Sequence, residues 1–295
     1  MQLSILVVLY NSSCQQSETL QSILQADLTQ IDLKLIIWNN GPHLLDNTQL
    51  ANYLTQASDK GIAVNTYQDI RNLSLSKIYN FILQQQDADF FIPLDQDTQL
   101  TKDFFNTIAQ HRDLDLILPI VYAEGQDNLV KFPFNTKTKQ PILEQQQVDA
   151  RTITSVTSAM AISKRLVDLF KQHKLTVFDE SFAFYGVDTA FFYNIHQIAK
   201  QHTLSCGCFG RIEHSLSTYV QENKQASYRR SIEFLYYAIL YRLNYKNKSR
   251  FSMLFFLLPR LLKGRIKDLT SLKNVLYCIT YKKHPRASLT IDLNQ

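Results

Sequence analysis

In the first 120 residues, apolar positions fall alternately in continuous runs and at helical spacing. Leu3 to Asn11 (LSILVVLYN) is an unbroken run rich in Val and Ile, the signature of a strand buried on both faces. A polar-capped helix follows from about Ser17 to Gln25. A second buried strand, Leu33 to Gly41 (LKLIIWNNG), closes in a turn. Helical spacing returns at Leu50 to Ala57, and a short strand (IAVNTYQ) comes next. Leu73 to Gln86 then reads as a helix feeding a strand at Phe90 to Leu94. Leu114 to Ala123 is another strand. Strands alternating with helices predict an α/β architecture, a parallel sheet covered on both faces.

The pattern then loosens. Glu124 to Ala150 is polar and Gln-rich and predicts loops or a hairpin. ITSVTSAMAISKRLVDLF gives a strand-like entry and a helix from near Lys164. Gly186 marks a turn before a helix starting about Val187, and TLSCGCFGRIEHS is one more strand closing near His214. After Asn223 the chain becomes aromatic, aliphatic and basic at helical spacing. Two parts follow from this, 1–223 and a basic amphipathic helical extension, 224–295.

Charge sharpens that division. Residues 1–223 carry 16 basic and 23 acidic side chains, whereas 224–286 carry 15 basic and 2 acidic ones. A solvated helical face, nucleic-acid binding and interfacial helices on anionic lipid all fit a basic segment. No nucleic-acid recognition motif is present. Lys and Arg interleaved with Leu, Phe and Tyr favour the anionic membrane surface. The longest apolar stretch, Phe251 to Leu262, contains Pro259 and Arg260 and falls short of the ~20 residues that span a bilayer. The start, MQLSILVVLYN, has no basic leader and reads as a strand. The four cysteines show neither zinc spacing nor a disulfide framework, and Cys206 and Cys208 read as strand filling, which fits a reducing, cytoplasmic setting. Only seven glycines occur, and neither G-x-G-x-x-G nor G-x-x-x-x-G-K-[ST] is present. A bound nucleotide would have to be held by side chains and a metal.

Candidate chemistry gathers at the predicted carboxyl ends of strands, where ligands bind in open α/β sheets. Of three Asp-x-Asp pairs, Asp87/Asp89 and Asp113/Asp115 precede apolar runs; only Asp95 and Asp97 follow one. Two carboxylates this close repel unless a cation or proton lies between them. Asn11 follows the first strand, Asn39 and Asn40 the second, and Asn72 and Lys77 open the helix before the fourth. Asp188 and His214 come from the second half. Two carboxylates and an imidazole suit a hard divalent ion, Mn²⁺ or Mg²⁺, which would clamp a diphosphate. Asp188 would be free to take a proton from an attacking hydroxyl. Each residue has an ordinary competitor: an exposed turn for the aspartate pair, a helix N-terminal acid for Asp188, a surface histidine for His214, capping or solvation for Asn72 and Lys77, and a core aromatic for Tyr10.

The ordered series ILVVLYN, LIIWNNG, RNLSLSKIYNFIL, FIPLDQD, SAMAISKRL, YGVDTAFF and IEHSLS resembles family-2 glycosyltransferases of the GT-A fold, over roughly residues 3–220. It is similar in particular to the rhamnosyltransferase-like branch of bacterial surface-polysaccharide enzymes. The resemblance implies a Rossmann-like mixed sheet that binds a nucleotide-diphospho-sugar, UDP- or dTDP-linked. It places Asp95 towards the ribose, Asp97 on the metal and His214 as a further ligand. Tyr10, Asn11 and Asn39 flank the base, Asn72 and Lys77 contact the donor, and Asp188 is the base of an inverting transfer. The basic extension, read as lying on the inner face of the membrane, would suit an acceptor hydroxyl carried on a lipid-linked glycan. Three departures stand out: Val187 replaces the usual Glu before the base, Asn39 replaces an acid, and Leu73, Ser74 and Leu75 replace small residues. Two other functions compete. One is an Asp-nucleophile phosphatase, whose Asp-x-Asp-x-Thr motif fails at Gln99. The other is an inactive relative serving as a membrane-bound assembly partner.

Overall fold

The computed structural model of the chain describes residues 1–123, 129–214 and 224–292. The division drawn at Asn223 and the Ser215–Ser217 end of IEHSLS lie outside the described residues. The chain runs β1 (Gln2–Leu9), α1 (Glu18–Gln25), β2 (Asp32–Asn39), α2 (Asn47–Asp59), β3 (Ala63–Gln68), α3 (Leu75–Gln85), β4 (Phe90–Asp95), β5 (Thr98–Leu100), α4 (Phe104–Gln110) and β6 (Leu116–Ala123). Six short strands come next: β7 (Val130–Phe132), β8 (Phe134–Asn135), β9 (Gln140–Pro141), β10 (Gln146–Val148), β11 (Ile153–Thr154) and β12 (Ala161–Ser163). Then follow α5 (Lys164–Gln172), α6 (Val187–Ile198), β13 (Cys206–His214), α7 (Lys224–Asn244), α8 (Ser252–Leu262), α9 (Leu269–Tyr281) and a 3₁₀ turn, Pro285–Ser288.

One mixed sheet has the strand order β10-β13-β6-β12-β4-β1-β2-β3, with β5 added to β13 and β7 to β6. β4, β1, β2 and β3 are parallel, as their intervening helices require. The sheet is mixed, as the resemblance implied, and its other side departs from the parallel arrangement. There β12 lies antiparallel between β4 and β6, and β5 and β10 lie antiparallel to β13. Strands of three residues are too short to show a period, so the apolar pattern does not predict them.

Side-chain alternation along β1 divides the core. Leu6 and Val8 join one apolar layer, while Leu3, Ile5, Val7 and Leu9 join the other. α1, α2 and α4 cover the second layer. α3, α5 and α6 cover the first, and the basic C-terminal helices pack into that same layer. Ile232, Leu235, Ile239 and Leu240 of α7, Met253 and Leu257 of α8, and Val275 and Cys278 of α9 are buried in it. Lys77 Nζ on α3 donates to the Leu289 carbonyl at 2.8 Å, and Arg71 donates to Thr290 O at 3.1 Å. Among the described residues, no helix is long and apolar enough to cross a membrane.

Candidate active site

β4 ends at Asp95 beside Val8 of β1, so its last carboxylate emerges at the carboxyl edge of the parallel strands. The chain then turns through Gln96 and Asp97 into β5, which pairs antiparallel with β13 in a register that sets Thr98 opposite His214. That register brings an imidazole 116 residues away onto the acidic turn. His214 Nε2 lies 3.6 Å from Asp95 Oδ2, and Nδ1 lies 3.5 Å from Asp97 Oδ1 and 3.2 Å from Thr98 Oγ1. One ligand atom from each of Asp95, Asp97 and His214 lies within 4.8 Å of the others. A six-coordinate ion with bonds of ~2.1 Å needs ligand atoms about 3–4 Å apart, and the two imidazole–carboxylate distances of 3.6 and 3.5 Å fall in that range. The oxygen, oxygen, nitrogen set suits Mn²⁺ or Mg²⁺.

The turn is braced from several sides. Thr19 on α1 donates to the Asp95 carbonyl and accepts from Thr98 N at 2.9 Å. Ser17 donates to Gln96 O at 2.9 Å, and Tyr10 N donates to Gln96 Oε1 at 2.7 Å. Ser158 accepts from Asp95 N at 3.0 Å. Burial pushes the Asp95 carboxyl above its ordinary range against the opposing pull of His214, and the charge of Asp188 adds to the rise.

Asp188 sits in the first turn of α6. Its Oδ1 accepts from Thr189 N at 2.7 Å, which favours the carboxylate, as does the helix N-terminus. Burial outweighs both, and its pKa is raised. The loop before it is clamped to α3: Ser74 and Ser76 donate to Phe182 O, and Asn80 exchanges two hydrogen bonds with the backbone of Phe178. Gly186 caps α6 at φ +94°, and a Cβ there would lie 2.5 Å from a Tyr237 ring carbon and 2.6 Å from one of Phe182.

A cavity of about 620 Å³ joins these groups, within the range of small-molecule sites. Of the residues expected from the sequence, Tyr10, Asn72, Asp95, Asp97, Asp188 and His214 line it. Three others do not. Asn11 is exposed, with a left-handed backbone (φ +52°) and its N–H bonded to Gly41 O. Asn39 is buried and spent on the turn after β2, donating to His43 O and Gln68 Oε1 and accepting from Gly41 N. Its neighbour Asn40 faces the cavity instead, with its amide paired to both backbone groups of Leu73. Lys77 points to Leu289, as above.

The sequence reading missed an entire wall. Arg229, Arg230 and Glu233 of α7 and Arg286 of the terminal 3₁₀ turn line the cavity. Arg286 donates to Asn72 Oδ1 at 2.8 Å and to Glu233 Oε2 at 2.9 Å. Burial pushes Glu233 up, but the His284 imidazole, with Nε2 3.2 Å from Oε2, and the charge of Arg286 prevail and hold it low. One signal was available, since Glu233 is one of only two acids in 224–286. The other, Asp268, caps α9 by accepting from Ser271 N at 2.7 Å. Phe184 and Tyr185, just ahead of Asp188, add an aromatic rim, Tyr185 stacking on Phe234 with ring centroids 3.9 Å apart.

No protein-family model matches the sequence, and no curated protein matches it either. Solved structures do share its architecture. S. aureus TarS superposes with a TM-score of 0.52 at 14% identity over 97% of this chain; the chain spans 50% of the length of TarS. GalNAc-T7, solved with UDP, GalNAc and Mn²⁺, gives 0.52 at 11% identity, covering 96% of this chain and 58% of its own. The mannosyltransferase PcManGT from Pyrobaculum calidifontis, with GDP-Man and Mn²⁺, gives 0.53 at 10% identity, covering 97% and 77%. The chain has the GT-A fold. At these identities the likeness establishes the fold alone.

Proposed function

We propose that the protein is a metal-dependent, inverting glycosyltransferase that moves a sugar from a UDP- or dTDP-linked donor to a hydroxyl of a lipid-linked glycan, in surface-polysaccharide synthesis. One observation carries the reading: the Asp95–Asp97–His214 set and Asp188 open into a single cavity at the carboxyl edge of a GT-A sheet. GT-A structures solved with UDP-GlcNAc, UDP or GDP-Man, two of them with Mn²⁺, support it.

Asp97 and His214 would hold the ion, with Asp95 shared between the ion and the ribose. When bound, the ion neutralises charge on the departing diphosphate. The chain's own residues do the rest. Tyr10 and Asn72 border the donor, and Asp188, raised by burial, accepts the proton of the acceptor hydroxyl. That hydroxyl oxygen bonds to the anomeric carbon as the bond to the diphosphate oxygen breaks, the electron pair leaving with the diphosphate. Attack opposite the leaving group inverts the centre. Val187 is buried in the core, so Asp188 works without a preceding Glu. The GT-A fold favours this reading over the phosphatase alternative, whose motif fails in the sequence at Gln99.

The test is calorimetric donor binding with UDP-, dTDP- and GDP-sugars, with and without Mn²⁺. Asp97→Ala should abolish the Mn²⁺-dependent part of binding; unchanged Mn²⁺-dependent affinity would overturn the clamp.

A further inference from the structure

Among the described residues, 17 large hydrophobic side chains are exposed, and nine of them lie between Phe251 and Tyr281. They are concentrated in one short segment of the chain rather than scattered along it. Six belong to α8 and its cap: Phe251, Leu254, Phe255, Leu258, Leu261 and Leu262, at the three- and four-residue spacing of one helix face. Phe251 and Phe255 are each 67% exposed, and Leu262 is 79% exposed. The opposite side of α8, Met253 and Leu257, is already buried in the core. α8 is thus apolar on both sides, and the chain covers only one of them.

Charge brackets this stripe. Lys246, Lys248 and Arg250 are exposed before α8, and Lys263, Arg265 and Lys267 after it. Arg260, the single charge within the helix, is folded back with its guanidinium 3.6 Å over the Phe256 ring. The nearest acid along the chain, Asp268, is taken up by Tyr228 and Ser271. Eleven residues make a helix about 16 Å long, half of a ~30 Å hydrocarbon core, so α8 can lie along a bilayer surface and does not span it. A second copy of the chain would set two strongly basic rims against each other. Nucleic acid would satisfy the charge and leave the stripe in water. An anionic lipid surface satisfies both.

We infer that α8 is an interfacial membrane anchor, with its Phe251–Leu262 stripe seated among acyl chains and the flanking Lys and Arg side chains on lipid phosphates. Vesicle binding and donor binding are separate measurements, so the anchor stands or falls apart from the transferase reading.

The test uses the full chain with phosphatidylglycerol-containing vesicles and with phosphatidylcholine vesicles. The native chain should sediment with the former. Leu254→Glu/Phe255→Glu/Leu258→Glu, altered only at exposed positions, should stay in the supernatant with an unchanged melting temperature. Each of Lys248→Gln, Lys263→Gln and Arg265→Gln should weaken binding about fivefold. Phe255→Trp adds a readout that does not rely on the triple variant, because the chain's one tryptophan, Trp38, is buried; the emission of the introduced indole should shift to the blue on vesicle binding. Sedimentation of the triple variant like the native chain, or an unshifted emission from vesicle-bound Phe255→Trp protein, would overturn the anchor. So would a native dimer in light scattering that the triple variant abolishes while vesicles bind neither.

Discussion

Asp188 shows how one carboxylate is tuned by opposing influences. The Thr189 N–H and the helix N-terminus favour its charged form, yet burial wins and raises its pKa. A base must be unprotonated to act. Transfer should therefore fall as pH drops through this raised value, putting the acidic limb of the kcat profile above the ordinary carboxylate range. Asp188→Asn should keep donor binding, lose that limb and lower kcat by about 10²-fold or more; pH-dependent initial rates check both. Near-native turnover would remove Asp188 from the chemistry. At this scale the sequence could be read only in part. Asp95 and Asp97 stood out because they follow an apolar run, but nothing in the spacing tied His214 to them. The tie is made by antiparallel pairing of Thr98 with His214. Asn39 and Asn40 were similarly indistinguishable, because side chains alternate at a strand end and one residue decides which asparagine faces the cavity.

At the scale of elements, the connection into α6 depends on Gly186. With φ at +94° and two aromatic rings within 2.6 Å of the place a Cβ would take, any side chain must push Tyr237 or Phe182 aside. Gly186→Ala should lower the melting temperature, by the equivalent of ~1–2 kcal/mol for the backbone alone, and should reduce kcat by moving Asp188. A thermal melt beside an activity assay checks it, and an unperturbed variant would show that the α6–α7 contact yields easily. Up to Ala123 most elements were legible, because unbroken apolar runs mark the buried strands and repeated helical spacing the longer helices; the seven-residue α4 was missed. β5 was missed too, and from β7 to β12 only a loop-or-hairpin region and a strand-like entry could be read, without the individual strands. Two or three residues carry no period, and their pairing is decided by neighbours distant in sequence.

For the whole molecule, the basic segment and the α/β core are joined more closely than composition suggested. α7, α8 and α9 share a buried layer with the sheet, and a fully buried aliphatic side chain contributes about 1.5–3 kcal/mol. Deleting residues from 224 onward should therefore give an aggregating or molten product, detected by loss of near-ultraviolet circular dichroism and of a cooperative melt. A cooperatively folded 1–223 fragment would show that the core stands alone. The intact chain should instead gain stability from its donor, about 2.7 kcal/mol at a hundred times Kd, and only with Mn²⁺ present. EDTA should return the melt to that of the free protein; a donor-induced shift that survives EDTA would argue against the ion. The GT-A architecture could be anticipated from seven short stretches in order. The C-terminal wall could not, because charge announces exposure and says little about which apolar side turns inward.

Arg286 reaches Asn72 across 214 residues of chain. During synthesis the strands and the acidic turn are made first, and the cavity cannot close until the last wall residue has left the ribosome. A stop codon in the final α-helix would thus leave the strands encoded and the cavity unfinished, a failure that strand content measured by infrared or circular dichroism spectroscopy would not reveal.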